Sequence, residues 1–99
     1  MIPLGVYSPP MDIPQDTIDD LQKRLRRIEG QIRGIQQMLG EDRDCREIVT
    51  QISAAGKALE QVGFNLVAAG LTWCIGNPEQ SKREGYSIDD VQKMFLKLA

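Results

Sequence analysis

Cys45 and Cys74 are the two cysteines of this 99-residue chain, which contains no histidine. They lie 29 residues apart within residues 44–75, a proline-free stretch whose apolar pattern predicts one continuous helix. At a rise of about 1.5 Å per residue, that helix holds the two sulfurs roughly 43 Å apart, so they cannot react within one chain. If the helix pairs antiparallel with a second copy, Cys45 of one chain lies level with Cys74 of the other, about a two-fold axis near Leu59 and Glu60. The spacing therefore indicates a two-cysteine site between subunits.

The chemistry open to this pair is limited by the residue types available. Two thiolates could hold Cu(I) because soft sulfur suits that ion, while a free cysteine can also be an ordinary buried apolar residue. Without histidine there is no imidazole for a zinc site and no imidazole base for a hydrolytic site, and the carboxylates are scattered over helix surfaces. We therefore expect no enzyme and no bound cofactor.

The element before the cysteines is predicted to be an amphipathic helix. Apolar residues recur at steps of three and four over residues 21–39, and a glycine follows at Gly40. Thr17 and Asp20 have the spacing of a capping box that would start this helix. Residues 1–16 contain four prolines and no apolar period, so we expect a flexible arm ahead of one helical domain of residues 17–99.

The helix that carries both cysteines is predicted to be long and to pack along its whole length. Its apolar residues repeat in strict heptads from Cys45 to Trp73. Three glycines spaced by seven residues suggest close approach by a neighbouring backbone; they are Gly56, Gly63 and Gly70. Residues 76–86 are predicted to be a polar loop, and a Ser87–Asp90 capping box to start a short third helix. The fold class is therefore all-α: a long antiparallel two-helix hairpin plus a short third helix.

The size of the chain bounds its organisation. A core of 99 residues is small, and oligomerisation is a common remedy where no disulfide framework adds stability. The start of the chain lacks the pattern of a signal peptide, and no apolar segment is expected to span a bilayer. We expect a cytoplasmic homo-oligomer with no membrane partner.

The first helix carries a cluster of basic residues, although the net charge of the chain is −2. Within eleven residues a single acidic residue opposes five basic ones, which are Lys23, Arg24, Arg26, Arg27 and Arg33. A local basic face is what phosphate binding requires, whatever the net charge. The same charges would also suit a solvated helix face, so charge alone leaves both interpretations open.

Three segments carry a resemblance to a known family. They are residues 21–34 (LQKRLRRIEGQIRG), residues 44–54 (DCREIVTQISA) and residues 71–74, which end at Cys74. With the cysteine spacing, they make residues 17–98 similar to the copper-sensitive operon repressor family, CsoR/RcnR-like. The resemblance implies an all-helical bacterial repressor whose antiparallel dimers associate into a tetramer, and whose operator DNA is released by ligand at the intersubunit cysteine site.

The resemblance also implies which residues touch DNA. Arg24 belongs to the matching KRL element, and Lys57 occupies a basic position often seen after the TQISA segment. The DNA-contact candidates are Lys23, Arg24, Arg26, Arg27, Arg33 and Lys57.

The residues that depart from the family pattern indicate a branch. Copper-sensing members place a histidine four residues before the second cysteine, where this chain has Gly70. Nickel and cobalt sensors use several histidines, and formaldehyde sensors have a proline where this chain has Ile2. Two cysteines without histidine are similar to the persulfide-sensing, CstR-like branch. There a reactive sulfur species converts the first cysteine to a persulfide, and the second cysteine, from the partner chain, closes a di-, tri- or tetrasulfide bridge.

The sequence therefore predicts a DNA-binding repressor in which Cys45 and Cys74 of the partner subunit sense persulfide or polysulfide. Two alternatives stay open. One is a Cu(I) sensor that uses the same two thiolates and a third ligand not identified from the sequence. The other is a helical interaction module with structural cysteines and no role on DNA.

Overall fold

The computed structural model describes residues 12–99, in which all regular structure is helical. The four helices are α1 (Gln15–Gly40), α2 (Cys45–Gly76), α3 (Pro78–Arg83) and α4 (Ile88–Leu98). The predicted all-α class and the hairpin of two long helices are confirmed. Most of the predicted arm, residues 1–16, lies outside the described residues, and α1 begins within its last two positions.

The start of α1 differs from the predicted capping box. The Pro14 carbonyl accepts hydrogen bonds from the backbone N–H groups of Thr17 and Ile18, at 3.0 and 3.1 Å. Thr17 therefore lies inside the first turn, where its own N–H donates to the Asp16 carboxylate at 2.9 Å. The Thr17–Asp20 box is wrong because Pro14, whose backbone angles are extended, already marks the helix boundary.

The heptad stripe of α2 divides into two faces. The Asp44 side chain caps the start of α2 by accepting a hydrogen bond from the Arg46 backbone N–H at 2.8 Å. One face of the helix is buried, through Ile48, Ala55 and Val62, while Trp73, one heptad after Leu66, is buried by packing with Val91 of α4. Residues of the other face keep about half of their surface exposed: Ile52 51%, Leu59 51% and Leu66 48%. We call these three residues the outer stripe, because residues 12–99 of one chain leave it about half exposed.

The inner face of α2 forms two small cores. Leu21 and Ile28 of α1 pack with Val62, and the half-buried Leu25 and Ala58 complete this cluster. Towards the end of α2, a second cluster consists of Trp73 and Cys74 with Val91 of α4. α1 and α4 are therefore held to α2 by separate groups of apolar side chains.

Gly63 explains only part of the predicted close approach. A Cβ atom at Gly63 would lie 2.7 Å from Leu98 Cδ2, so the end of α4 packs onto this glycine within one chain. At Gly56 a Cβ atom would meet no atom within 4 Å. The seven-residue glycine spacing thus reflects one internal contact at Gly63 and an open surface at Gly56.

The region after α2 is more helical than predicted. Residues 76–86 were expected to form a loop, but Pro78 begins the six-residue helix α3. That expectation is wrong because proline is favoured in the first turn of a helix, where its missing N–H needs no partner. The hydroxyl of the buried Ser81 donates to the Tyr86 carbonyl and closes the segment. The predicted Ser87–Asp90 capping box of α4 is confirmed in both of its hydrogen bonds.

By length and composition alone, α2 is long and apolar enough to cross a bilayer, contrary to the expectation that no segment would be. An 18-residue window of this 32-residue helix has a mean hydropathy of 1.2, and 22% of that window is buried. The expectation was wrong about length and composition, although core helices of helical bundles have the same length and apolar character. Over residues 12–99 the outer stripe stays about half exposed in a single chain.

Candidate effector and DNA sites

Cys45 is the first residue of α2 and is exposed as a free thiol. Its neighbour Arg46 is held to the helix cap, with its Nε atom 3.5 Å from a carboxylate oxygen of Asp44. Cys45 precedes Ile52 by one heptad, so it continues the outer stripe towards the start of the helix. The first predicted site residue therefore lies at the edge of the surface that one chain leaves uncovered.

Cys74 is also a free thiol, but only 3% of its surface is exposed. It lies between α2 and α4 in the cluster with Trp73 and Val91, and Met94 is among the side chains that pack against this cluster. Cys74 therefore has a largely apolar environment, unlike Cys45.

One chain does not bring the two cysteines together, because they lie near opposite ends of the 32-residue helix α2. Among residues 12–99, no three histidine, cysteine, aspartate or glutamate side chains gather where they could hold a metal ion. In an antiparallel pairing that places Cys45 level with Cys74, the axis lies between residues 59 and 60. Leu59 is the middle residue of the outer stripe, so the uncovered apolar surface is centred on that axis.

The predicted DNA-contact residues are distributed over more than one face of α1. Arg24 and Arg27 line a cleft of about 400 Å³ between α1 and α2, together with polar side chains from both helices. Arg24 Nε is also 2.9 Å from an Asp20 carboxylate oxygen, and Arg33 is 3.7 Å from Glu29. Both ion pairs are solvent-exposed and weak, so a phosphate could compete for these guanidinium groups.

The remaining basic candidates are more open. Within residues 12–99, Lys23, Arg26 and Arg27 form no ion pair, and neither does Lys57 on α2. At about 100° per residue, Lys23 and Arg27 project on one side of α1 and Arg26 on the next. The structure therefore places the six candidates over a broad strip of the hairpin rather than at one point.

Two groups of residues near these sites were not identified from the sequence. Gln31 and Gln61 line the cleft beside Arg24 and Arg27, and glutamines at such positions carry no spacing signal of their own. Met94 packs near Cys74, but in the sequence it is one of several apolar residues of the last helix. Its sulfur becomes relevant only once α4 is placed against the end of α2.

Residues 17–97 match the sequence model of the metal-sensitive transcriptional repressors. The chain belongs to this family. It is therefore a transcriptional repressor and not an enzyme, as predicted.

Two relatives of known function support the assignment. The copper-sensing transcriptional repressor CsoR of Bacillus subtilis is 37% identical over 79 residues, which are 80% of this chain and 78% of that protein. The copper-sensing transcriptional repressor RicR of Mycobacterium tuberculosis is 49% identical over 57 residues. That match covers 58% of this chain and 59% of RicR, so the chain spans less than two thirds of that relative.

Two solved structures share the fold. The copper-sensing repressor CsoR with Cu(I) from Geobacillus thermodenitrificans has 41% identity and a TM-score of 0.64, with 87% of this chain and 95% of that chain covered. The nickel-responsive transcriptional regulator InrS has 27% identity and a TM-score of 0.65, with 95% and 99% covered. Since the two respond to different metals, the fold alone does not determine the effector.

Proposed function

We propose that this repressor binds operator DNA and releases it when Cu(I) is held between Cys45 of one subunit and Cys74 of the partner subunit. The observation that carries the proposal is the pair of free cysteines at opposite ends of α2, with the outer stripe between them. The copper-sensing relatives favour Cu(I) over the sulfur species favoured by the sequence alone.

The donor atoms present suit Cu(I) better than other common metals. Thiolate sulfur is soft and suits Cu(I), whereas a tetrahedral zinc site would need two ligands besides the two thiolates, and this chain has no histidine to supply them. Because no sufficient ligand group exists within residues 12–99 of one chain, ligands from two chains are needed. When bound, the metal would link two α2 helices, and its role is to bias their relative position.

Reactive sulfur species are the second candidate effector. The observation that favours them is the absence of histidine together with two free thiols, which are sufficient for a covalent bridge. The Cys45 thiolate would take sulfane sulfur from a persulfide donor and release the donor's thiolate. Attack by Cys74 of the partner subunit on the Cys45 sulfur would then form a disulfide and release hydrosulfide.

The surface proposed to contact DNA is the basic strip of the hairpin, defined by Lys23, Arg24, Arg26, Arg27, Arg33 and Lys57. Its charges lie on α1 and on the adjoining part of α2. The ion pairs that Arg24 and Arg33 form are exposed to solvent. Contacts to phosphate by such residues position a protein on the duplex without reading its sequence. The operator sequence therefore has to be read by other contacts or by DNA shape.

The proposed assembly is an antiparallel dimer along the outer stripe, with dimers associated into a tetramer in the cytoplasm, where operator DNA is found. Burying three large apolar side chains from each copy supplies the association energy that a small core lacks. In this arrangement the effector site and the dimer interface share α2. Ligand binding can therefore change the packing that presents α1 to DNA.

The test compares the two effectors on one protein. Reduced protein would bind a fluorescent duplex selected from a random pool, and anisotropy would follow release on addition of Cu(I) or of glutathione persulfide. We expect Cu(I) to release the duplex at stoichiometric amounts, and Cys45→Ala to abolish this response. Release by persulfide, with a covalent dimer in the denatured mass spectrum and no response to Cu(I), would instead establish the second candidate.

A further inference from the structure

A cavity borders the C-terminal end of α2, near the buried Cys74. This cavity has a volume of about 260 Å³, and both α2 and α4 line it. Its lining residues are Ile13, Leu66, Val67, Gly70, Tyr86, Val91 and Met94. Several of them belong to the cluster around Cys74 or pack against it, so the cavity adjoins the buried thiol.

The α2 wall of this cavity includes Gly70, which is four residues before Cys74 and therefore its neighbour on the same helix face. Gly70 is buried and has no side chain to offer a ligand. On the opposite wall, α4 contributes Met94, whose side chain packs against the cluster that contains Cys74. The space one turn before Cys74 is therefore bordered by a thioether from another helix.

The chemistry of the lining selects Met94 among its neighbours. Thioether sulfur is a soft ligand suited to Cu(I), whereas the Tyr86 phenol is a hard oxygen donor and the other lining groups are hydrocarbon. The other described methionine, Met38, lines a different cleft with residues of the first turns of α2 that lie off the outer stripe. Met94 is thus the one methionine in residues 12–99 that packs against the cluster containing Cys74.

We propose that Met94 is a third sulfur ligand of the effector site, so that Cu(I) is held by Cys74 and Met94 of one subunit and Cys45 of the partner subunit. This inference rests on the proposed Cu(I) function. It supplies the third ligand that two thiolates leave missing, and it links α4 directly to the metal. The position of α4 against α2 would then depend on the effector.

The direct test is copper-edge X-ray absorption on the full-length protein labelled with selenomethionine and loaded with Cu(I). We expect a copper–selenium contribution in the labelled protein that disappears in Met94→Leu and is kept in Met38→Leu, the same substitution at the other cleft. Absence of selenium around bound copper, or its persistence in Met94→Leu, would overturn the inference.

A second measurement uses the single tryptophan, Trp73, which is buried beside Cys74. Its emission should change on Cu(I) binding, and competition with a colorimetric chelator then gives the affinity. We expect Met94→Leu to weaken Cu(I) binding by at least about tenfold, as removal of outer-shell partners alone can do in metal sites, while Met38→Leu leaves it unchanged.

The outcomes separate the two proposals. If the unsubstituted protein binds no Cu(I) that depends on Cys45 and Cys74, the proposed function fails and this inference with it. If Cu(I) binds through both cysteines with equal affinity in Met94→Leu and without selenium as a ligand, only the role of Met94 fails.

Discussion

At the scale of single residues, the two cysteines are alike in sequence and different in structure. Their spacing alone predicted that they cannot meet within one chain, because helix length follows directly from residue number. Their environments could not be predicted, since Cys74 is buried only because α4 folds back onto the end of α2. The same packing places Met94 against the cluster that contains Cys74, although 20 residues separate the two in the chain.

Asp90 provides a prediction about pH at this scale. A hydrogen bond from the Ser87 backbone N–H, followed by one from the Ser87 hydroxyl, lowers the pKa of Asp90 below its ordinary value of 3.8. A carboxylate whose pKa is lower in the folded chain stabilises the fold above its unfolded pKa, and this stabilisation is lost as the pH falls through the folded pKa.

Asp90→Ala should therefore reduce the free energy of unfolding near neutral pH, and the difference from the unsubstituted protein should shrink below pH 3.8. Urea titrations at several pH values measure this difference. Asp89→Ala is the matched control, because Asp89 lies in the same turn but makes only a surface ion pair with Lys93 at 3.3 Å. A difference that stays constant with pH would contradict the capping role.

At the scale of helices, the heptad pattern of α2 correctly predicts a long packed helix but does not separate its two faces. Ala55 and Val62 face the inside of the chain, whereas Ile52 and Leu59 alternate with them and face out. Sequence periodicity identifies apolar positions but does not say which of them a single chain can cover. The capping residues Ser87 and Asp90 correctly predicted the start of α4. The start of α3 at Pro78 was not predicted from the sequence.

The packing of Leu98 on Gly63 gives a prediction for the position of α4 on α2. Replacing a helical glycine by alanine stabilises a helix by about 1 kcal/mol, but the new methyl group at Gly63 would collide with Leu98. Gly63→Ala should therefore raise the free energy of unfolding by less than this amount. In the Leu98→Ala background the same substitution should give the full increase. A double-mutant cycle on unfolding free energies measures the coupling. Additive effects would show that α4 does not pack on Gly63.

The basic strip gives a prediction for α1. Lys23→Glu/Arg27→Glu should weaken DNA binding and lower the salt dependence of affinity by about one unit for each phosphate that the protein no longer neutralises. The matched control is Lys82→Glu/Arg83→Glu on α3, which makes the same change in net charge away from the strip. Anisotropy titrations over a range of salt concentrations provide the slopes. Equal weakening in the two variants would place the DNA surface elsewhere.

At the scale of the whole molecule, the outer stripe indicates that one chain is an incomplete unit. Leu59 lies at its centre and next to the proposed two-fold axis, so a charge placed there would meet its own copy in a desolvated interface. Leu59→Glu should convert the assembly to monomers in sedimentation velocity. Ala54→Glu, on an exposed position of α2 away from the stripe, should leave the assembly intact. An unchanged sedimentation coefficient for Leu59→Glu would rule out this interface.

The proposed effector site combines Cys45 of one subunit with Cys74 of the partner subunit. Dimers formed from one Cys45→Ser chain and one Cys74→Ser chain contain one complete site and one site with no cysteine. Isolated with two affinity tags, these mixed dimers should bind one Cu(I) tightly, while dimers of either single variant should bind none. Tight Cu(I) binding by either single-variant dimer, or none by the mixed dimers, would contradict the intersubunit site.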